Sequence, residues 1–142
     1  MSSSSTSSSG MELRKEYTEE LKTIIPESQA LAESDGLEAA ITLLLVFEKK
    51  TRLANDFINL KECCLHIVRL CREKNDWAKL NSSLCVIYKR RSQSKVCIEA
   101  VVKECYDYLD VCPNEQIKYD LAHTLKDVCE GKIYVEAISA RL

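Results

Sequence analysis

Residues that favour the start of a helix recur along this chain at nearly constant intervals. Asp35, Asp76 and Asn114 are of the types that cap helix N-termini, and they lie 41 and 38 residues apart. Each interval holds two amphipathic helical patterns. A period of about 40 residues with two helices per unit is typical of helical repeat stacks. The spacing therefore predicts an all-α protein, an α-solenoid of stacked antiparallel helix pairs of the TPR or HEAT-like kind.

Apolar residues between these starts follow the helical period of about 3.6 residues. The predicted stripes are Leu37, Ile41, Leu44 and Phe47; Leu60, Cys64, Ile67 and Cys71; Trp77, Leu80, Leu84 and Ile87; Ile98, Val102, Cys105 and Leu109; and Ile117, Leu121, Leu125 and Val128. Only three glycines and two prolines occur, which favours long helices over a sheet with many turns.

Several short segments predict where helices begin and end. Asp35–Glu38 is an acidic variant of the capping box. Asn75 suits the position just after a helix, and Asp76 the position just before the next one. Pro26 suits a first helical turn, so we expect it to separate two short helices. Gly131 ends the last complete pattern, because glycine enters the left-handed conformation without a steric penalty.

The two ends of the chain depart from this pattern. Residues 1–11 contain a serine tract that cannot bury apolar surface, so we expect a disordered tail, natural or left by cloning. Residues 12–142 are expected to form the helical-repeat domain. A new apolar pattern starts at Ile133 and nothing after Leu142 caps it. We therefore expect the N-terminal piece of a longer protein, cut before further repeats.

Charge and hydropathy argue against two broad classes of partner. The formal net charge is −2 and the pI is near 5.8, whereas a general polyanion binder usually has a basic excess. No apolar run approaches the ~20 residues that span a bilayer, and the N-terminus lacks the apolar core of a secretory signal. We therefore expect a soluble intracellular protein that binds no membrane.

Eight cysteines are many for a chain of this length, but they suggest no metal site. Cys63 and His66 have a spacing that places two ligands on one helical face. Cys71 lies about 140° further around the same helix, and no Cys-x-x-Cys pair occurs. In a reducing compartment such cysteines are either small buried hydrophobes or reactive thiols. We expect no metal.

No set of residues indicates catalysis. A nucleophilic cysteine needs a nearby histidine or a helix N-terminus, and both histidines, His66 and His123, fall within helical patterns. The chain has no Gly-rich phosphate loop and no Gly-x-Ser-x-Gly turn. We expect neither an enzyme, a cofactor nor a small-molecule substrate.

The strongest charge run is Lys89–Lys95, which includes Arg90 and Arg91. One interpretation is contact with nucleic acid or an import receptor. The other is that cations collect at a helix C-terminus, where they offset the negative end of the dipole. Because the whole chain is acidic, we favour the second on electrostatic grounds.

The sequence allows two interpretations of Trp77, an external contact or internal packing. It could anchor an external partner, or it could pack against the preceding helix with its N–H bonded to an acceptor. We favour packing, because large aromatic side chains are mostly buried.

Four segments, in order along the chain, resemble one known family. They are Leu44–Arg52 (a leucine-rich helix ending in Glu-Lys-x-Thr-Arg), Asp76-Trp77-x-x-Leu80-Asn81, the run Lys89–Lys95, and Gly131–Glu136. Together they are similar to the fifth non-ATPase subunit of the proteasome regulatory particle, a lid subunit of the 26S assembly. The resemblance covers residues 37–142.

The resemblance implies a long helical solenoid followed by a winged-helix PCI module that this chain lacks. It also implies a non-catalytic scaffold that supports ubiquitin-dependent degradation. The partners it implies are other lid subunits, the ATPase base and the outer ring of the core particle. We expect a cytoplasmic and nuclear location.

The residues expected to make contacts are Lys89, Arg90, Arg91 and Lys95, chosen for charge and exposure, and, as weaker candidates, Lys132, Tyr134 and Glu136. Two alternatives stay open at this point. One is the paralogous scaffold subunit of the signalosome, and the other is a helical-repeat RNA-binding module that uses Lys89–Lys95 as its basic edge.

Overall fold

The structure, a computed structural model, describes residues 10–89 and 95–131, with side chains for 16–89 and 95–128. These residues form six α-helices and one short 3-10 helix, with no strand. The helices are α1 (Gly10–Ser34), α2 (Leu37–Leu53), α3 (Phe57–Glu73), α4 (Trp77–Tyr88), α5 (Lys95–Tyr108) and α6 (Glu115–Gly131), with the 3-10 helix at Leu109–Val111. The predicted all-α class is confirmed.

Each helix packs against helices that are close to it in the chain. The α1 helix packs on α2 and α3, α3 also contacts α2, α4 and α5, and α6 lies against α4 and α5. Contacts that reach one or two helices along the chain are typical of a repeat stack, because each unit buries its apolar face only against its neighbours. Helices α2, α4 and α6 begin 40 and 38 residues apart, as the spacing of caps predicted.

The predicted stripes form one continuous core. All of their members are buried except Leu37 and Ile117, which are half-buried against it. Leu109 is buried although it lies in the 3-10 helix rather than in α5. No described helix is long and apolar enough to cross a bilayer.

The turns before α3 and α4 are built alike. Asn55 and Asn75 hold the left-handed conformation, and the next residues, Asp56 and Asp76, cap the following helices. An Asp56 oxygen accepts from the Asn59 N–H, and an Asp76 oxygen accepts from the Lys79 N–H. The predicted roles of Asn75 and Asp76 are confirmed. The equivalent turn at Asn55 was not predicted from the sequence.

The predicted capping box at Asp35 is wrong. The residue before α2 is Gly36, with φ 112° and ψ 162°, and no side chain caps the helix. The N–H groups of Asp35 and Gly36 both donate to the Leu31 carbonyl, at 2.7 and 2.8 Å. The chain closes α1 in this way, and the positive φ at Gly36 is a conformation that glycine adopts without strain.

Pro26 does not separate two helices, as we had expected, but lies inside the continuous α1. Its ring removes one helical hydrogen bond, which ordinarily costs about 3 kcal/mol in a helix interior. Leu21 and Ile24 before it and Ser28 after it are all buried, so packing holds both halves in line. The helix begins at Gly10, inside the predicted tail, whose residues 1–9 lie outside the described part.

The connection from α5 to α6 follows the prediction. Cys112 is extended, as the residue before a proline prefers, and Pro113 follows it. The Asn114 side chain accepts from the Ile117 N–H at 3.0 Å and so caps α6. This helix ends at Gly131, where the sequence pattern placed its end.

Candidate interaction surfaces

The predicted basic surface is described only at its two ends. Lys89 follows α4 and is exposed, and its N–H donates to the Cys85 carbonyl at 3.1 Å. Lys95 is the first residue of α5 and is also exposed. The position of Lys89 suits the negative end of the α4 dipole. A contact role for either lysine remains a prediction.

The other predicted contact residues lie outside the described part of the chain. They are Arg90, Arg91, Lys132, Tyr134 and Glu136.

The histidine and cysteines of α3 are used in packing. Cys63 Sγ donates to the Leu44 carbonyl at 3.1 Å, whereas His66 Nε2 lies 3.1 Å from Ser28 Oγ on α1. Since the Ser28 hydroxyl donates to the Ile25 carbonyl at 2.7 Å, His66 is the donor to Ser28. Within the described ranges, no three histidine, cysteine or acidic side chains are placed to hold a metal ion.

Burial also makes the core thiols poor nucleophiles. Desolvation raises the pKa of Cys63 and Cys105 well above the usual thiol range, and raises the pKa of Cys71 to about 12. A hydrogen bond with Cys97, followed by burial, raises the pKa of Cys64. Because the thiolate is the reactive form, these groups stay protonated and unreactive near neutral pH.

Trp77 packs inside the protein, as the favoured reading predicted. It is 8% exposed, and its ring meets the Tyr108 ring edge-on, with centroids 6.4 Å apart. The guanidinium carbon of Arg72 lies 5.8 Å from the centre of the Trp77 ring and 5.7 Å from that of Tyr108. Both distances fall within the ~6 Å range of cation–π contacts.

The Tyr108 hydroxyl continues this cluster towards α3. It donates to Glu104 Oε2 at 2.8 Å, and the same oxygen accepts from Arg69 Nε at 3.0 Å. Burial works to raise the pKa of Glu104, but these two hydrogen bonds outweigh it and hold that pKa below the usual value. Arg69 Nε is therefore paired with a carboxylate.

A cleft of about 510 Å³ runs between α1 and α3, beside this cluster. It is lined by Ile25, Gln29, His66, Arg69, Leu70, Arg72 and Glu73. Burial, and then the charge of Arg69, lower the pKa of His66, so the ring is neutral at pH 7. Two guanidinium groups and one carboxylate are the charged groups of this α1–α3 cleft.

A smaller cleft of about 340 Å³ separates the N-terminal halves of α4 and α6. Trp77, Ile117 and Leu121 give it an apolar floor, and Asn81 and Asp120 are among its polar residues. This cleft includes part of the Asp76–Asn81 segment that carries the family resemblance.

Large apolar side chains are exposed at the turn between α2 and α3. Leu53 is 68% exposed, Ile58 60% and Phe57 40%. We call these three residues the apolar corner. Phe57 occupies the same place in its turn as Trp77 in the next one, but among the described residues no ring or guanidinium group packs on it as Tyr108 and Arg72 pack on Trp77. Exposed large apolar residues grouped at one turn are typical of protein-interaction sites.

Sequence reasoning missed the apolar corner. Its signal was Ile58, which lies two residues before the stripe that starts at Leu60 and off its period. An apolar residue off the buried stripe of a helix is predicted to be exposed.

Comparison with known proteins agrees with the resemblance. The family model described as "PSMD12/CSN4, N-terminal" matches residues 39–142. Among curated proteins, the chain is 36% identical over 112 residues to the 26S proteasome non-ATPase regulatory subunit 12 homolog A of Arabidopsis thaliana, an alignment covering 79% of this chain and 25% of that protein. It is 34% identical over 130 residues to the 26S proteasome regulatory subunit RPN5 of Saccharomyces cerevisiae, covering 90% of this chain and 29% of that protein.

A third relative extends the range of organisms. The 26S proteasome non-ATPase regulatory subunit 12 of Dictyostelium discoideum is 36% identical over 116 residues, which cover 82% of this chain and 26% of that protein. The chain thus spans about a quarter of the length of these curated relatives. The predicted kinship with the proteasome lid subunit is confirmed, and the chain belongs to the PSMD12/CSN4 N-terminal family.

Proposed function

We propose that the intact protein is a non-catalytic scaffold subunit of the lid of the 26S proteasome regulatory particle. The observation that carries this proposal is the family match over residues 39–142, together with relatives that are named 26S proteasome regulatory subunits. In this role the protein supports ubiquitin-dependent degradation through protein–protein contacts. Its partners are other lid subunits, the ATPase base and the outer ring of the core particle, and it acts in cytoplasm and nucleus.

Two properties of the described helices support a scaffold role. Each helix is anchored by a continuous buried core, so the stack is a stiff platform for surface residues. The apolar corner offers side chains that are costly to leave in water and that gain stability when a partner covers them.

The chemistry of the core supports a non-catalytic role. The pKa values of Cys63, Cys64 and Cys105 are raised, and the Ser28 hydroxyl donates its proton to the Ile25 carbonyl, so His66 does not act as its base. A nucleophile that works near neutral pH needs the opposite environment.

The test is to tag the intact protein in its own cells, purify it under native conditions and quantify the co-purifying proteins by mass spectrometry. We expect regulatory-particle subunits, including the ATPases, in near-equal amounts to the bait. Recovery of signalosome subunits and cullins without proteasome subunits would replace this proposal with the paralogous scaffold. The matched control is the same tag on an unrelated helical-repeat protein.

A further inference from the structure

Arg72 has an unusual setting for a surface arginine. Its guanidinium group is held against the rings of both Trp77 and Tyr108, at 5.8 and 5.7 Å. These rings are themselves packed edge-on against each other. An arginine fixed in this way has already lost much of the side-chain freedom that binding would otherwise cost.

The same guanidinium has no anion in the described part of the chain. It makes no ion pair and no hydrogen bond with residues 16–89 or 95–128, and its Nε is buried without a partner. The neighbouring cations differ in this respect. Arg69 is paired with Glu104 at 3.0 Å, and Lys74 with Glu33 at 2.9 Å. Arg72 therefore presents a positive charge that no anion among the described residues offsets.

The position of Arg72 gives it access to a ligand. It lines the α1–α3 cleft, whose volume of about 510 Å³ accepts one or more side chains of a second protein. Because Nε is buried, a ligand of Arg72 has to bind the terminal Nη groups. Gln29 adds an amide on the α1 side of the cleft, and Ile25 and Leu70 add apolar surface.

We propose that Arg72 binds a carboxylate from an acidic segment of a partner protein that lies in the α1–α3 cleft. The two Nη groups hold the two carboxylate oxygens in parallel hydrogen bonds, the geometry in which arginine recognises carboxylates best. Arginines in such partly enclosed, ordered positions are enriched among the residues that dominate binding energy. The site does not depend on which assembly the protein joins.

The surrounding charges favour a single carboxylate over a nucleic acid. Glu73 lines the cleft, and Glu33 and Glu104 lie on the neighbouring helices α1 and α5. A polyphosphate backbone that extended past Arg72 would meet these carboxylates. An acidic side chain needs only one guanidinium group, which Arg72 supplies.

The test is an NMR titration of the 142-residue chain that follows the Arg72 Nε–Hε signal, assigned by its loss in Arg72→Lys. The probes are acetyl-tetraglutamate amide, the matching tetralysine peptide and a single-stranded RNA 12-mer. We expect saturable, millimolar binding of tetraglutamate at Arg72 and no shift with tetralysine. Arg72→Gln is expected to weaken tetraglutamate binding at least about fivefold, and Glu73→Gln to strengthen it about twofold by removing a like charge.

The control variant is Lys49→Gln, which removes one exposed positive charge from α2 and is expected to leave the affinity unchanged. Dispersed amide spectra establish that each variant is folded. If neither Arg72 variant folds, through-bond correlation from the Arg72 backbone assigns the signal, and the wild-type titration with Glu73→Gln decides whether Arg72 binds the peptide. The proposal is overturned if tetraglutamate gives no saturable shift of Arg72 up to ~20 mM, or if the RNA shifts it and the peptide does not.

Discussion

Asn55 and Asn75 hold the same left-handed backbone conformation, with φ values of 62° and 59°, 20 residues apart in the chain. Each follows one helix and precedes the aspartate that caps the next. The N–H of each asparagine donates to the carbonyl three residues earlier, Arg52 or Arg72, at 3.2 and 3.0 Å. The protein thus uses one turn twice to reverse its chain between packed helices.

This turn predicts that alanine and glycine substitutions have different effects on stability. An alanine in the left-handed region costs about 1 kcal/mol, whereas glycine adopts it freely. Asn55→Ala and Asn75→Ala are each expected to lower the free energy of unfolding by about 1 kcal/mol, and the glycine variants to leave it nearly unchanged. Urea denaturation measures the difference. Equal stabilities of the alanine and glycine variants would contradict the assigned conformation.

The buried ion pair of α2 predicts a non-additive effect. Glu48 is fully buried, and its Oε2 lies 3.5 Å from Nε of Arg52, whose side chain is 9% exposed. Removal of Arg52 leaves the buried carboxylate without this cation, which costs about 3 kcal/mol or more in comparable sites. Arg52→Met alone should therefore be strongly destabilising.

The matched double variant, Glu48→Leu with Arg52→Met, replaces both charges by apolar groups. We expect it to be more stable than Arg52→Met alone, because no carboxylate remains buried after loss of its Arg52 partner. Denaturant midpoints of the wild type, the two single variants and the double variant complete the cycle. A double variant whose loss equals the sum of the two single losses would show that the pair is not coupled.

The environment of His66 predicts that stability falls as the solution becomes acidic. Burial, and then the charge of Arg69, lower the pKa of His66, while Glu73 opposes them. The unfolded chain then binds more protons than the folded one between the folded pKa and the ordinary value near 6.5. The stability that the neutral ring contributes is present above that value and is lost as pH falls through the folded pKa.

The measurement is the urea midpoint at about pH 7.5 and 5.5 for the wild type and for His66→Gln. Glutamine retains an N–H donor for Ser28 but does not titrate. We expect a larger fall in the wild type than in the variant. An equal fall of the urea midpoint in both proteins would show that groups other than His66 cause the pH dependence.

The cysteines are expected to fall into two reactivity classes. Cys63, Cys64 and Cys105 are buried with raised pKa values, whereas Cys85 and Cys112 are only half-buried. Brief treatment of the native protein with iodoacetamide should label the second pair first, and the first three only after urea is added. Peptide mass spectrometry measures each site. Labelling of Cys64 or Cys105 as fast as Cys85 would contradict the packing of α3 on α5.

The features that sequence alone predicted are those set by local chemistry. Apolar residues at helical spacing identified the buried faces, and Asp76 and Asn114 capped helices as their side chains favour. The errors arose where tertiary packing overrides local preference. Pro26 lies within a helix because residues on both sides of it are buried, and Gly36 replaced the predicted aspartate cap.

Sequence patterns could not predict the Arg72 site. It depends on Trp77, which is close in the chain, and on Tyr108, which is 36 residues away and meets Arg72 only because α5 packs on α3. No periodicity encodes such a contact. The apolar corner, by contrast, was predictable from Ile58, an apolar residue that lies off the buried stripe of α3.

The central claim is a proposal: the intact protein acts through its surface, with the apolar corner as one contact to the regulatory particle. Its most direct test compares the intact wild-type protein with Leu53→Lys and Ile58→Glu combined, since these charges suit the helix ends on which they lie. The matched control is Val111→Glu, an exposed apolar residue elsewhere. We expect the double variant to recover at least about tenfold less of the regulatory-particle subunits in native purification, with the control like the wild type. Undiminished recovery by a folded double variant would contradict the claim.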